Sequence, residues 1–404
     1  MQDFPFTIRD VASVMNLRVR HRNTVSLDVD CPLCDDHKGK MNLNLQKNVF
    51  RCNRCGESGG MLNLYAKAYG VDIKTARKEI IEATGRTDFK REMLHRKDME
   101  RTETQITNAV MASDADKHKT YSKLFDMLIL ADCHKNNLLK RGFTEEQIVE
   151  NGYKSTPVYG FRNLTKRLIE EGCTVEGVPG FYKDKDGEWT VYFNRKSSGF
   201  MIPVRNIYGL ITGVQIRLDH PYEGRKYIWL SSVNFEKGTT SGSPVHFVGN
   251  PGEKTVFVTE GPLKGDLAHA LSGRTFLYVP GVNQSLNLLP VLKEMKNQGT
   301  TFVYEAYDMD KLLATVCHGD YSEKCRECPC INKDWKHEKI PCSKKQIKRD
   351  NIDKGCNKLA QICKEVGLTG KTLTWDTDAE GNWAENVKGV DDYLVSLQQK
   401  KLEE

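Results

Sequence analysis

Four cysteines near the N-terminus have the spacing of a metal site. Cys31 and Cys34 form one Cys-x-x-Cys pair, and Cys52 and Cys55 form another after an intervening segment of seventeen residues. Two such pairs can place four thiolates around one tetrahedral Zn²⁺ ion, and the intervening segment is long enough for a β-hairpin. The sequence therefore predicts a closed, structural zinc site.

A second concentration of cysteines lies between residues 312 and 356. Its density predicts a second zinc site, although an iron–sulfur cluster is an alternative. The expected ligands are Cys317, Cys325, Cys328 or Cys330, and Cys342. The segment is also rich in lysine, so it could contact nucleic acid.

Acidic residues follow three predicted strands in the C-terminal part of the chain. They are Glu260 after strand 256–259, Asp308 and Asp310 after strand 301–307, and Asp391 and Asp392 beyond strand 371–376. The carboxyl ends of parallel strands meet at one edge of an open sheet, so these carboxylates should share divalent ions there. Mg²⁺ or Mn²⁺ held by carboxylates and phosphate oxygens suits phosphoryl or nucleotidyl transfer.

The elements around these acids alternate between strand and helix. Besides the three strands named above, the pattern predicts strand 275–279 and helices 263–272, 285–297 and 355–367. Such alternation is typical of a parallel sheet with helices on its faces, which is a Rossmann-like α/β domain. Residues 178–250 contain short strand patterns after a helical stretch at 119–170, so this part is predicted to be mixed α+β.

The N-terminal part is predicted to carry a helix at 7–17 and two more at 60–84 around the cysteine pairs. The expected organisation is a zinc-ribbon domain at 1–85, a charged linker at 86–118, a mixed α+β subdomain at 119–250, and an α/β domain at 251–404 with a Cys-rich insertion at 312–356. The chain is thus predicted to be multidomain, α+β and α/β.

Composition limits the class of protein. The 404 residues carry a formal net charge of +6, which permits a nucleic-acid partner without establishing one. No signal peptide and no apolar run of membrane-spanning length is found, so no membrane partner is expected. The thirteen cysteines then fit metal ligands or buried thiols in a reducing cytoplasm.

The acidic motifs also resemble a known domain. Thr259-Glu260-Gly261, Asp308-Met309-Asp310 and Asp391-Asp392 are similar to the motifs of the TOPRIM domain, which DnaG-type primases, topoisomerases and some nucleases share. Together with the N-terminal ribbon, they resemble a DnaG-type primase, in particular the primases of phages and mobile elements.

The middle of the chain carries further similarities in the same order as the family. They lie at Leu138–Ile148, at Gly199–Pro203 with Gly209–Arg217, at Lys226–Ser232 and at Phe235–Gly238. Two positions depart from the family pattern. Cys34 stands where a His is usual, with His37 nearby as a spare ligand, and Lys264 stands where the TOPRIM signature has an Asp, with Asp266 two positions further on.

The resemblance implies synthesis of RNA primers on a single-stranded DNA template from ribonucleoside triphosphates. It implies a catalytic role for the five acids and a nucleic-acid or nucleotide contact for a set of cations. That set is Arg141, Arg217, Lys226, Lys237 and Lys264. No helicase motor motif is found, so a replicative helicase would act in trans.

The ribbon is expected to present Phe50, Arg51 and Arg54 to the template, because an aromatic ring beside guanidinium groups suits single-strand binding. The alternative for Phe50 is packing in the ribbon's own small core. Two other functions stay open for the whole chain: a TOPRIM metal-dependent nuclease, and a non-catalytic single-stranded-DNA-binding replication factor, which Lys264 would favour.

Overall fold

The computed structural model describes residues 4, 6–34, 36–84, 107–222, 225–317, 325, 328, 340–377, 383 and 387–403. The helices of this part are α1 (Ile8–Val14), α2 (Met61–Tyr69), α3 (Ile73–Thr84), α4 (Asp114–Asp126), α5 (Asp132–Lys140), α6 (Glu145–Asn151), α7 (Phe161–Glu170), α8 (Pro262–Ser272), α9 (Leu288–Asn297), α10 (Ser343–Val366) and α11 (Val390–Glu403). Two 3-10 helices span Arg195–Ser197 and Met309–Leu312.

The strands of the same residues are β1 (Val19–Arg22), β2 (Ser26–Cys31), β3 (Asp36–Asn44), β4 (Val49–Cys52), β5 (Ser58–Gly60), β6 (Lys154–Ser155), β7 (Phe181–Lys183), β8 (Trp189–Val191), β9 (Gly199–Arg205), β10 (Ile211–Tyr222), β11 (Arg225–Trp229), β12 (His246–Val248), β13 (Thr255–Glu260), β14 (Thr275–Val279), β15 (Phe302–Glu305) and β16 (Thr369–Thr372).

The chain divides into two compact units. The first comprises Met1–Ile129, Lys154–Met201 and Gly213–Gly242, and the second comprises Leu130–Tyr153, Ile202–Thr212 and Ser243–Glu404. The segment predicted as one subdomain at 119–250 therefore contributes to both units. The predicted linker lies largely outside the described residues, but its last part is structured, because Ser113 caps α4 with a side-chain hydrogen bond.

The zinc-ribbon part of the first unit is an antiparallel sheet of order β1-β2-β3-β4-β5. Strand β3 alternates buried Met41 and Leu43 with more exposed neighbours, which is the pattern of a half-buried strand. Thr7 is the N-cap of helix α1, and its backbone N–H donates to Oδ2 of Asp10 at 2.7 Å in a capping box. The helix predicted at 7–17 is present but shorter, at Ile8–Val14, and the two predicted at 60–84 are found at Met61–Tyr69 and Ile73–Thr84.

The second unit is built on a sheet of order β12-β14-β13-β15-β16. Strand β12 is antiparallel to β14, while β13 is parallel to both β14 and β15, and β15 is parallel to β16. The predicted parallel sheet is confirmed. The last strand spans Thr369–Thr372 rather than 371–376, and the helix before it starts at Ser343 rather than at residue 355.

Apolar residues cover both faces of this sheet. Val256 and Val258 of β13 belong to one core cluster with α9 and α10, whereas Phe257 packs against another cluster that includes residues of α8 and α11. The result is a three-layer α/β/α arrangement, which leaves the carboxyl ends of the central strands to line a site. No helix of the described residues is both long and apolar enough to cross a membrane.

Candidate active site and metal centre

The four N-terminal cysteines converge as predicted. Their Sγ atoms all lie within 4.8 Å of one another, and all four residues are buried. The Sγ atoms of Cys34 and Cys52 lie 3.8 Å apart. A Zn–S bond of about 2.3 Å in a tetrahedron places two sulfur atoms about 3.8 Å apart, so the donors fit Zn²⁺.

The turns of the ribbon hold these thiols in place. The N–H of Gly56 donates to the carbonyl of Cys52 at 2.9 Å, and the N–H of Arg54 donates to Sγ of Cys52 at 3.4 Å. Such N–H···S bonds stabilise the thiolate form that a metal requires. His37 is half exposed and lies beside Asp30 instead of joining the sulfur cluster.

The structure corrects the expectation for Phe50. This residue is 2 % exposed, and a Cβ added to Gly59 would lie 3.2 Å from its ring, so the ring fills the ribbon core and cannot stack on a base. Arg51 is exposed on the outer face of β4. Arg54 lies 3.9 Å from the buried carboxylate of Asp36. The two arginines thus stay candidates for phosphate contacts.

The acidic residues lie where the parallel strands of the second unit end. Glu260 is the last residue of β13, and Gly261 follows with a φ of +88°, a conformation that favours glycine and lets α8 begin at once. Asp308 and Asp310 follow β15, the parallel neighbour of β13. Asp391 lies in the first turn of α11.

A buried ion pair fixes the segment that carries Asp308 and Asp310. The Nζ of Lys311 lies 3.0 and 3.2 Å from the two carboxylate oxygens of Glu305 and donates to the carbonyl of Leu373 at 2.6 Å. The N–H of Tyr307 donates to Oε1 of the same glutamate at 2.6 Å. The segment after β15 is therefore preorganised before any ligand binds.

Three lysines neutralise these acids. Lys264 forms an ion pair with Oδ1 of Asp308. The Nζ of Lys388 lies 3.2 Å from Oδ2 of Asp308 and 2.8 Å from Oδ2 of Asp310. The Nζ of Lys348 lies 2.6 Å from Oδ2 of Asp310. We call these three lysines the lysine set.

Burial and neighbouring charges shift the pKa values of these acids in opposite directions. Burial, followed by the neighbouring Asp308, raises the pKa of Glu260 to about 7. Burial likewise raises the pKa of Asp391 to about 6, in spite of Lys264. Although burial alone would raise the pKa of Asp310, the ammonium groups of Lys388 and Lys348 lower it. Two of the acids are thus poised near neutral pH, and one is held ionised.

The carboxylates fit a divalent ion, but lysines compete with it. Oδ1 of Asp391 is a buried acceptor without a hydrogen-bond partner, and oxygen ligands suit Mg²⁺ and Mn²⁺. In the part of the chain that the structure describes, the cysteine cluster is the one set of three or more such ligands that converges within 4.8 Å. The acids do not converge so closely, and ammonium groups lie between them.

Asp392 and Asp266 do not join the acids. Oδ2 of Asp392 accepts a hydrogen bond from the N–H of Gly389 at 2.8 Å, which gives a partner to a backbone N–H at the N-terminus of α11. Asp266 is buried, with Oδ2 accepting from the hydroxyl of Tyr153 at 2.7 Å and Oδ1 lying 2.8 Å from Nε2 of His246. Lys264, by contrast, forms a direct ion pair with Asp308.

Arg141 lies close to the acids of the second unit. It follows α5, and its charge acts to lower the pKa of Asp391, against the larger effect of burial. The next residue, Gly142, packs on α11, since a Cβ added there would lie 3.3 Å from Cγ2 of Val395. The sequence motif that contains Arg141 is thereby held against the helix that carries Asp391.

The other predicted cations lie in the first unit. Nη1 of Arg217 donates to the hydroxyl of Tyr227 at 3.0 Å across the β10–β11 pair, and its guanidinium lies 5.6 Å from the centre of that ring. Lys226 is exposed. Lys237 adopts a φ of +55° and lies 3.6 Å from Glu176.

The second cysteine cluster is only partly described. Cys317 and Cys342 are buried together with Ile340. Cys325 is buried and Cys328 half-buried, while Cys330 lies outside the described residues. The second zinc site stays a prediction.

Sequence reasoning missed two members of the lysine set, Lys348 and Lys388. Lys348 lies on α10, 38 residues beyond Asp310, with which it pairs, and no spacing rule connects the two. The sequence did indicate Lys388, because this lysine precedes Asp391 by three residues. In the structure its carbonyl accepts a hydrogen bond from the N–H of Met309 at 2.9 Å.

Comparison with known proteins supports the resemblance stated from the motifs. No family model matches the chain. A curated DNA primase of Lactococcus lactis subsp. lactis is 24% identical over 204 residues, which is 49% of this chain and 28% of that protein, so the match spans less than a third of the relative.

Two solved structures are similar at low identity. The zinc-binding and RNA polymerase domains of the Aquifex aeolicus primase cover 100% of this chain and 84% of that chain, at 14% identity and a TM-score of 0.46. The RNA polymerase domain of Mycobacterium tuberculosis primase DnaG, in complex with double-stranded DNA, covers 48% of this chain and 64% of that chain, at 17% identity and a TM-score of 0.37. The match to the curated relative supports the resemblance to a DNA primase, while the DnaG type and the phage or mobile-element variety stay predictions.

Proposed function

We propose that this chain is a DNA primase that synthesises short RNA primers on single-stranded DNA by metal-dependent nucleotidyl transfer, in the cytoplasm and for the replication of a phage or mobile element. The observation that carries the proposal is the meeting of Glu260, Asp308 and Asp310 at the carboxyl edge of a parallel sheet, in a chain that also has a four-cysteine centre. The similarity to a curated DNA primase supports it.

The reaction joins two ribonucleotides. The 3′-hydroxyl oxygen of one attacks the α-phosphorus of the next triphosphate, the hydroxyl proton leaves, and pyrophosphate departs. Glu260, Asp308, Asp310 and Asp391 would hold Mg²⁺ or Mn²⁺, which lowers the pKa of the attacking hydroxyl and neutralises charge on the phosphates.

The protein's own groups would bind and orient the nucleic acid. The exposed Lys226 and the guanidinium of Arg217 suit phosphates of template, primer or nucleotide, and Lys237 would join them. Arg51 and Arg54 of the ribbon would contact the template backbone. Lys348 and Lys388 are 32% and 42% exposed, so they can leave the aspartates and meet the triphosphate.

A second candidate, the non-catalytic DNA-binding factor, is favoured by one observation. Both oxygens of Asp308 are paired with lysine, which leaves this carboxylate neutralised without a metal. A third candidate, the nuclease, would use the same acids but has no need of the cations on β10 and β11.

A single assay separates the three functions. The full chain is incubated with single-stranded DNA, the four ribonucleoside triphosphates and Mg²⁺ or Mn²⁺, and the products are separated on a denaturing gel. We expect short RNA products that the Asp308→Ala variant does not make and that Asp126→Ala, a change at an exposed residue of the first unit, leaves unchanged. Shortened template would support the nuclease, and template binding without either product would support the binding factor.

A further inference from the structure

Lys264 lies among carboxylates from three different elements. Its ammonium group pairs with Asp308 after β15, and it interacts electrostatically with Glu260 at the end of β13 and with Asp391 at the start of α11. In the part of the chain that the structure describes, the side chain of Glu260 has no hydrogen bond or ion pair. Lys264 is therefore a positive charge that acts on all three of these acids.

The helix that carries Lys264 is held firmly. Helix α8 begins at Pro262, directly after β13. Two residues beyond Lys264, Asp266 is buried and bound through both oxygens, to Tyr153 and to His246. The first turn of α8 is thus anchored on both sides, and the backbone of Lys264 cannot withdraw without breaking buried hydrogen bonds.

The other two lysines are less confined. The side chain of Lys264 is 25% exposed, against 32% for Lys348 and 42% for Lys388. Both of the latter pair with Oδ2 of Asp310. A divalent ion that binds Asp310 would meet two side chains that can swing into solvent, whereas one that binds Oδ1 of Asp308 would have to expel Lys264.

Two-metal sites hold their ions about 3.5–4 Å apart, and both ions neutralise the same reacting phosphate. A lysine ammonium group fixed among the carboxylates can supply one of those charges as a point cation. It also blocks the oxygen that a second ion would need, because two cations cannot share that position without strong repulsion.

We propose that Lys264 is a built-in cation that takes the place of a second divalent ion, so that this acidic site holds one divalent ion at a time. The inference rests on the proposed function in that it assigns the site to divalent-ion chemistry. Lys264 acts as a fixed positive charge beside the bound ion. The carboxylate of Asp308 contacts both Lys264 and the ion.

The test counts Mn²⁺ ions on the zinc-loaded full chain by electron paramagnetic resonance of unbound Mn²⁺ during titration. The background of Mn²⁺ binding elsewhere on the protein is measured with the double variant Glu260→Gln and Asp310→Asn, which lacks two of the carboxylates that would bind the ion. Above that background we expect one ion for the unchanged protein. We expect two ions for Lys264→Asp and for Lys264→Met, because both changes release Oδ1 of Asp308.

The matched control is Lys293→Met on α9. This lysine is exposed and pairs with Glu365 outside the acidic site, so its loss should leave one ion. Two ions on the unchanged protein, no ion at all, or one ion on both Lys264 variants with circular dichroism unchanged, would each overturn the inference.

Primer synthesis is measured separately on the same preparations. If the unchanged protein binds one ion and the Lys264 variants bind two while no primer forms, the proposed primase activity fails and the inference about the ion count stands. If primers form and the unchanged protein binds two ions, the activity stands and the inference fails.

Discussion

Nε2 of His246 lies 2.8 Å from Oδ1 of Asp266, and both side chains are buried in the second unit. Nδ1 of the same imidazole accepts a hydrogen bond from the backbone N–H of Arg205 at 2.9 Å. Nε2 therefore carries the hydrogen and donates a hydrogen bond to the carboxylate. With Tyr153 on the other oxygen, Asp266 is satisfied within the core. It is a structural residue of α8 and leaves the acidic site to Glu260, Asp308 and their neighbours.

We predict that Tyr153→Phe destabilises the protein by about 1–3 kcal/mol, because it leaves Oδ2 of Asp266 buried without its donor. Urea unfolding followed by circular dichroism measures this change. Tyr208→Phe is the matched control, since that hydroxyl bonds Glu294 at an exposed position and its loss should change little. Equal stability of the two variants would contradict the assignment of Asp266 to the core.

We predict that Cys52→Ser removes one bound zinc per chain and unfolds the ribbon, because a small metal domain loses its folding energy with the ion. Mass spectrometry of the native protein gives the metal content, and limited proteolysis reports the ribbon. Cys133→Ser, at an exposed cysteine, should keep both the zinc and the protease resistance. Retention of all zinc by Cys52→Ser would refute the site.

The second cysteine cluster predicts a further zinc. The native protein should then contain two zinc ions per chain, and Cys342→Ser should retain one of them, with the ribbon still resistant to protease. A native content of one zinc would show that Cys317 and Cys342 are simply buried thiols that pack with Ile340.

We predict that Mn²⁺ binds more weakly as the pH falls below 7. The pKa of Glu260 is raised to about 7, so below that pH the folded, metal-free protein carries a proton that the ion must displace. The apparent affinity should fall about tenfold for each pH unit below 7 and level off above it. Isothermal titration between pH 6 and 8 measures the slope, and Glu260→Gln should reduce it. A pH-independent affinity would contradict the raised pKa.

The fold of the second unit was largely predictable from the sequence. Apolar strands such as β14, fully buried on both faces, alternate with amphipathic helices, and this pattern has few solutions other than a covered parallel sheet. The start of α10 was misplaced because this helix begins in a segment rich in charged residues, where periodicity is weak.

The positions of the acidic residues were predictable from the sequence, but the charges around them were not. Strand ends predicted Glu260, Asp308 and Asp310 because parallel strands share an edge. The pairing of Lys348 and Lys388 with the aspartates depends on how α10 and the segment before α11 pack, which one sequence does not encode locally. Phe50 was ambiguous for a similar reason, since an aromatic residue suits a small core as well as a base.

The most direct test of the proposed primase activity is de novo synthesis of alkali-labile RNA on single-stranded DNA, comparing the unchanged chain with Asp310→Asn. The proposed activity predicts short ribonucleotide products that require Mg²⁺ or Mn²⁺ and that fall by at least about a hundredfold in the variant, because the aspartate would hold the metal that neutralises the phosphates. Equal product from both proteins, or none from the unchanged chain at any metal concentration, would contradict it.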